Sequence, residues 1–225
     1  DVCHYYYEEP NFMDDTSDPA FVSVGLRDWK FGSEKENVDF LYTLEATAGS
    51  VQYTSRGTGK GDKDYKKFRA EGYVSYSMDS LNPFLGLGYR WLYDDSGGMV
   101  TSTGHKGYDR QSQYVYLPVG VIFELNNKIQ IKGQFNYFLY GKQTSYLSDI
   151  ASFTDLENDQ NSGWGTDLTV NYQIYHKMGL YLFYRHWDIE KSETATATYA
   201  GVIKFEGYEP ANTTEEIGIG ISYRF

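Results

Sequence analysis

The sequence predicts an all-β fold, a closed antiparallel transmembrane β-barrel, and three observations carry that prediction. The apolar residues recur with period two rather than 3.6, so each segment has one greasy face and one polar face. The connections between these segments alternate between short and long. No run approaches the ~20 consecutive apolar residues of a spanning helix, although 40% of the 225 residues are hydrophobic. Strands that cross a bilayer must close on themselves, because lipid cannot satisfy an open sheet edge.

In chain order, strands are predicted at 2–8, 20–31, 37–55, 67–79, 83–94, 111–125, 128–142, 162–174, 178–190 and 214–225. Val22, Val24 and Leu26 oppose Ser23, Gly25 and Arg27, and Phe40, Tyr42, Leu44 and Ala46 oppose Asp39, Thr43 and Glu45. Phe68, Val74 and Tyr76 oppose Arg69, Glu71 and Tyr73; Leu85, Leu87 and Trp91 oppose Gly86, Gly88 and Arg90. Val115, Val119 and Phe123 oppose Tyr114, Tyr116 and Gly120, while Ile129, Ile131 and Phe135 oppose Gln130, Lys132 and Gln134. Trp164, Leu168 and Val170 oppose Asp167, Thr169 and Asn171. The run Gly179–Ile189 is ambiguous, with Arg185 on one face and His186 and Asp188 on the other. Ile217, Ile219, Ile221 and Tyr223 oppose Glu216, Gly218, Gly220 and Ser222. Short connections fall at 32–37, 79–83, 126–128 and 175–178, and long polar ones at 56–67, 94–110, 142–162 and 191–213.

A soluble sandwich or lipocalin-like barrel also alternates, with its greasy face inward. Two features favour the membrane. Trp91, Tyr93, Trp164, Tyr172, Tyr175 and Tyr223 sit near strand ends, where interfacial girdles belong. Loop length also divides between the two rims. The net charge of −11 argues against a general nucleic-acid binder. A single cysteine, Cys3, excludes an intrachain disulfide framework and a Cys-rich zinc site.

The C-terminal strand, Glu216 to Phe225, resembles the terminal strand of bacterial outer-membrane β-barrels. In that family the terminal strand and its final aromatic are read by the barrel assembly machinery, which would assign Ile221, Tyr223 and Phe225 as the assembly signal. The resemblance implies a multi-pass protein of a Gram-negative outer membrane, in contact with membrane lipid and lipopolysaccharide, with its short turns periplasmic. It makes Asp1 the expected mature N-terminus after removal of a signal peptide. Layout is distantly similar to the omptin and OmpA-like barrels, without identifying a subfamily. The even strand number of such barrels asks for a first strand within Val2–Glu8, giving ten. The alternative is eight, with residues 1–36 as a periplasmic arm. Residues 1–225 are read as one barrel domain.

A barrel this narrow is nearly filled by side chains. Arg69, Glu71, Arg90, Lys132, Asp167 and Glu216 are expected to face inward and pair, because a lone desolvated charge is costly. Tyr73, Tyr114, Tyr116, Phe138 and Tyr140 are expected among them. For chemistry, the omptin proteases set an Asp pair against an Asp–His pair at the outer rim. Asp94, Asp95, His186 and Asp188 invite comparison, yet their order is reversed and no family motif surrounds them. Gly57-Thr58-Gly59-Lys60-Gly61 fails the phosphate-loop spacing and reads as a loop. Its neighbours Arg56, Lys60, Lys63, Lys66 and Lys67 are candidates for lipopolysaccharide phosphates. Asp155, Glu157 and Asp159 have the first spacing of a calcium loop, but Gln160 and Thr166 stand where it needs Gly and Glu. No cofactor motif is found. The expected role is a non-enzymatic barrel presenting outer loops to surfaces, lipid or a protein partner. A rim hydrolase and a narrow solute pore are the alternatives.

Overall fold

The structure, a computed structural model, describes residues 1–31, 37–150 and 152–223. The strands are β1 (Val2–Glu9), β2 (Met13–Ser17), β3 (Phe21–Phe31), β4 (Val38–Ser55), β5 (Gly59–Tyr76), β6 (Leu81–Asp95) and β7 (Arg110–Glu124). They continue with β8 (Ile129–Ser145), β9 (Leu156–Gln160), β10 (Gly163–Tyr175), β11 (Met178–Ile189), β12 (Ala195–Tyr199), β13 (Ile203–Gly207) and β14 (Asn212–Tyr223). All pairings are antiparallel, and β14 pairs with β1 to close the sheet. Both β2 and β3 lie on β4, and both β9 and β10 on β8, so each of these pairs forms one interrupted wall of a ten-walled barrel. The eight-stranded alternative is corrected: β1 and β3 are walls, not an arm.

The apolar face points outward. Val24 is 77% exposed and Ile221 69%, whereas Glu45, Glu71 and Glu216 are each 4% exposed. That inversion of an ordinary core is what a lipid-facing wall requires. The ambiguous strand resolves the same way: Arg185 is buried inside, and Leu182 and Tyr184 face out with His186 and Asp188.

The interior is packed with rings as well as charges. Tyr5 stacks on Phe21 with centroids 4.6 Å apart, and Tyr116 meets Trp187 edge-on at 4.9 Å. Glycines on the inner face make this possible. A Cβ at Gly88 would lie 2.3 Å from the Tyr116 ring, and one at Gly165 2.7 Å from Trp187. The ring of one wall therefore fills the space a neighbour leaves empty.

Several expected boundaries change. The segment 56–67 is not a long loop: β4 and β5 form one extended hairpin with a turn at 56–58. Its alternation continues beneath the charges, with Lys63, Tyr65 and Lys67 buried and Asp62, Asp64 and Lys66 exposed. Part of 142–162 is β9, part of the first outer connection is β2, and 191–213 carries the β12–β13 hairpin. Tyr140 faces out rather than in, because the register shifts where Val115 and Tyr116 of β7 meet Tyr140 and Phe138. One extra residue in a strand re-aims everything beyond it. Phe225 lies outside the described residues.

Placing charge on the outward face tests this orientation. Leu182→Arg, at a position 54% exposed and paired with Ile219, should lower unfolding free energy in lipid vesicles by about 2–4 kcal/mol. Urea titration followed by tryptophan fluorescence reads the change, and an unaffected midpoint would place Leu182 away from lipid.

Candidate functional site

Inside the barrel, ion pairs reach from wall to wall. Arg185 of β11 donates to both carboxylate oxygens of Glu45 on β4, at 2.6 and 2.8 Å. Arg185 also lies 3.3 Å from Glu216, whose other oxygen receives Lys67 of β5 at 2.6 Å. Arg90 stands 3.7 Å from that same oxygen, its guanidinium 5.1 Å from the centre of the Trp187 ring. Arg69 of β5 bridges Asp167 of β10 at 2.6 Å and Glu71 at 2.7 Å. Gln134 donates to both of these carboxylates, and Tyr116 donates to Glu71 at 3.0 Å. Five of the six lumen residues read from alternation thus sit in one chain of contacts, closed by Arg185 at 3.7 Å from Asp167, and the sixth, Lys132, pairs separately with Asp28. Glu45, Lys67 and Arg185 join them.

A bulge between Leu26 and Trp29 adds two more charges. It turns consecutive side chains inward, so Arg27 reaches Glu45 at 2.5 Å while Asp28 receives Lys132 at 2.7 Å. Strict alternation would have sent one of them to lipid. Below Lys132, toward the short-turn rim, Tyr73, Phe84 and Ile122 form a small apolar cluster with Leu41 against it. Mid-lumen, the space among Glu45, Lys67, Arg90 and Glu216 is a void of about 20 Å³. A single water occupies roughly that much. Among the described residues, these side chains fill the mid-lumen.

The outer end is different. A cavity of about 420 Å³ opens there between the β1–β2 turn, the β4–β5 turn and the β6–β7 loop. Phe12, Met13, Tyr53, Met99 and Tyr108 supply its apolar walls. Two charged arrays border it. Lys63 pairs with Asp94 at 2.6 Å and with Asp15 at 2.9 Å. Arg110 pairs with Glu9 at 2.5 Å and with Glu209, and Tyr7 donates to Glu9 at 2.9 Å. Glu209 belongs to the connection that carries β12–β13, so this contact clasps the longest outer loop to the barrel mouth. The loop is itself packed: Phe153 contacts Tyr199 and Phe205 at 4.8 and 5.6 Å, and Asn158 donates to the Glu193 and Gly207 carbonyls.

The rim residues considered for catalysis are not brought together. Asp94 faces the lumen with Lys63 and Ser96, whereas Asp95 faces out and pairs with Lys66 at 2.8 Å. His186 and Asp188 lie on the outer face of β11, where His186 packs 5.0 Å from the Trp164 ring and 3.7 Å from Glu215. Asp94 and the His186–Asp188 pair thus occupy opposite surfaces of the barrel wall. Asp155, Glu157 and Asp159 also diverge, engaging the Ser148 amide, Lys142 and the Tyr140 hydroxyl respectively. Among the described residues no group of three or more His, Cys, Asp or Glu is arranged to hold a metal. Of the five basic residues considered for lipid phosphates, Lys63 and Lys67 are buried and paired inside, and Lys66 is paired with Asp95. Arg56 and Lys60 remain exposed at the β4–β5 turn. Sequence reasoning placed Lys63 in an outer loop and did not single out Arg110, Glu9 or Glu209; the unbroken alternation through 59–67 was the available signal for the inward placement of Lys63.

No protein-family model matches the chain, and no curated protein sequence matches it significantly. Among solved structures, the β domain of the Bordetella autotransporter BrkA aligns at 14% identity and TM-score 0.40, over 100% of this chain and 97% of that one. The Pseudomonas putida toluene transporter TodX aligns at 10% identity and TM-score 0.38, covering 100% and 69%. Outer membrane phospholipase A from Escherichia coli aligns at 12% identity and TM-score 0.31, covering 100% and 98%. At these values the likeness is to general layout and carries nothing about chemistry.

The clasp should respond to pH. Burial pushes the Glu209 carboxyl up to about 8, with Arg110 opposing the rise and Glu9 adding to it. The folded state therefore holds this proton more tightly than an unfolded chain does. The contribution is complete below the ordinary carboxylate range and is lost as pH rises through about 8. Hydrogen exchange across 190–211, corrected for intrinsic rate, should show protection at mildly acidic pH and opening at alkaline pH. Glu209→Gln should flatten that profile, and an unchanged profile would remove Glu209 as its cause.

Proposed function

We propose that this chain is a non-conducting outer-membrane β-barrel that works at its outer end, presenting its loops and vestibule to molecules or surfaces outside the cell. The observation that carries this reading is the closed lumen. Ion pairs, rings and a basal apolar cluster fill it among the described residues, and the cavity of about 420 Å³ lies at the long-loop end. A pore would need a continuous water-filled path, and a rim hydrolase would need its acid, base and nucleophile on one surface. Neither arrangement is supported by the geometry. In this reading the outward apolar wall meets lipid, and Arg56 and Lys60 at the β4–β5 turn face lipopolysaccharide phosphates. The terminal strand that pairs with β1 is the segment offered to the assembly machinery of a Gram-negative outer membrane.

Planar bilayers provide the test. The folded protein should give no discrete conductance steps. The double variant Lys67→Ala with Glu216→Ala removes both partners of a lumen pair and leaves space for water, so it should admit small-ion current while retaining heat-modifiable migration. Stable unitary currents from the unaltered protein would contradict the closed-barrel reading.

A further inference from the structure

We infer that the outer hairpin β12–β13 is a self-association element: the free edge of β13 pairs antiparallel with β13 of a second copy of this chain, joining two hairpins into one four-stranded sheet. This inference rests on the outer loops being the working end of the barrel. Among the described residues β13 pairs with β12 and with no other strand. Which of its backbone groups lie open follows from β12. The Thr198 carbonyl accepts from the Thr154 amide at 2.9 Å, and the Thr198 amide donates to the Thr154 hydroxyl at 2.8 Å. The Ala200 amide likewise donates to the Ser152 carbonyl at 2.7 Å. The Thr198 backbone thus points away from β13, and Thr198 with Lys204 is a non-hydrogen-bonded pair of the hairpin. Lys204 and, two residues on, Glu206 therefore turn their amides and carbonyls toward the uncovered edge. The hairpin is also held in place, by the Glu209–Arg110 contact and by Phe153 against Phe205.

Charge selects the partner and the register. The Lys204 and Glu206 side chains are exposed and make no ion pair among the described residues. Two β13 edges exchange backbone hydrogen bonds only where open residues meet open residues. Lys204 can face Lys204, Glu206 can face Glu206, or Lys204 can face Glu206. The first two set like charges directly opposite each other, which destabilises a strand pair. The third sets a Lys–Glu pair on each side of a two-fold axis, with Phe205 against its copy at the centre. Such an edge complements itself, as a two-fold interface requires. A uniformly acidic or basic peptide would leave one of the two charges unmatched. The same register brings Ile203, 59% exposed, over the second copy's Gly207, where no side chain obstructs it. It also brings Val202, 78% exposed, beside the second copy's exposed Tyr208. A lysine on an edge strand ordinarily discourages pairing, but Glu206 supplies its counter-charge in this one register.

Disulfide trapping and charge exchange test the pairing on the folded, full-length protein in detergent. Non-hydrogen-bonded partners have Cα atoms about 4.5 Å apart, within reach of a disulfide, so Phe205→Cys should give a covalent dimer under mild oxidation. Thr196→Cys, exposed on β12 and away from the axis, should not. The natural Cys3 is buried and does not compete. With Phe205 intact, sedimentation should show a concentration-dependent dimer. Lys204→Glu alone, or Glu206→Lys alone, should weaken that dimer about tenfold. Mixing these two variants should restore it, because every cross-strand pair is then again of opposite charge. Both positions are exposed, so this arm stays informative if Phe205→Cys disturbs the hairpin. A monomer at every concentration, equal trapping at Thr196→Cys, or no recovery on mixing would overturn the inference. Unitary currents from a protein that still pairs would remove the closed-barrel reading alone, and silent bilayers without pairing would remove this inference alone.

Discussion

Pairing of charges across the lumen is the constraint on which the rest of this structure depends. A wall that turns its apolar face to lipid must turn its polar face inward, and a narrow barrel offers that face little water. Each inward charge therefore needs a partner on another wall. Arg185 with Glu45, Lys67 with Glu216 and Arg69 with Asp167 all join strands well separated around the barrel. Lys132 with Asp28 and Arg110 with Glu9 join walls that face each other directly. Removing one partner of such a pair strands the other, at a cost of about 3–5 kcal/mol. The pairs thus tie distant walls to each other and favour one cross-section.

Much of this was legible in the sequence, and for a simple reason. Period-two alternation survives wherever both faces have strong and opposite demands, so the lipid face of β14, β6 and β10 and the inward placement of Arg69, Glu71 and Asp167 could be read directly. Alternation says which face a residue occupies and nothing about its partner across the lumen. That depends on stagger around the barrel. Legibility failed in two situations. Between 59 and 67 the outward positions carry Asp62, Asp64 and Lys66 beyond the apolar band, so both faces are charged and the strand resembles a loop. At the bulges, near Asp28 and near Tyr140, one residue changes face and simple counting misplaces its successors.

The candidate site follows the same division. Lumen charges belong to single strands and are visible one strand at a time. The vestibule is assembled from a turn after β1, a turn after β4 and the loop after β6, and Glu209, two hundred residues beyond Glu9, meets the Arg110 at its edge. No local pattern announces such a convergence. His186 and Asp188 are the converse case: closeness in sequence invited comparison with a catalytic pair, and no family motif supported it. Burial of Arg185 on the same strand sends them to the outer surface, away from Asp94.

The most direct test of the cross-lumen account is a double-mutant cycle between Arg69 and Asp167. The two belong to β5 and β10 and meet at 2.6 Å. Urea unfolding in lipid vesicles would be followed for Arg69→Ala, Asp167→Ala and the double variant. The account predicts that each single change is strongly destabilising and that the double change costs much less than their sum, a coupling above about 1 kcal/mol. Additivity within about 0.5 kcal/mol would contradict it, showing that the two walls are not held to each other by this pair.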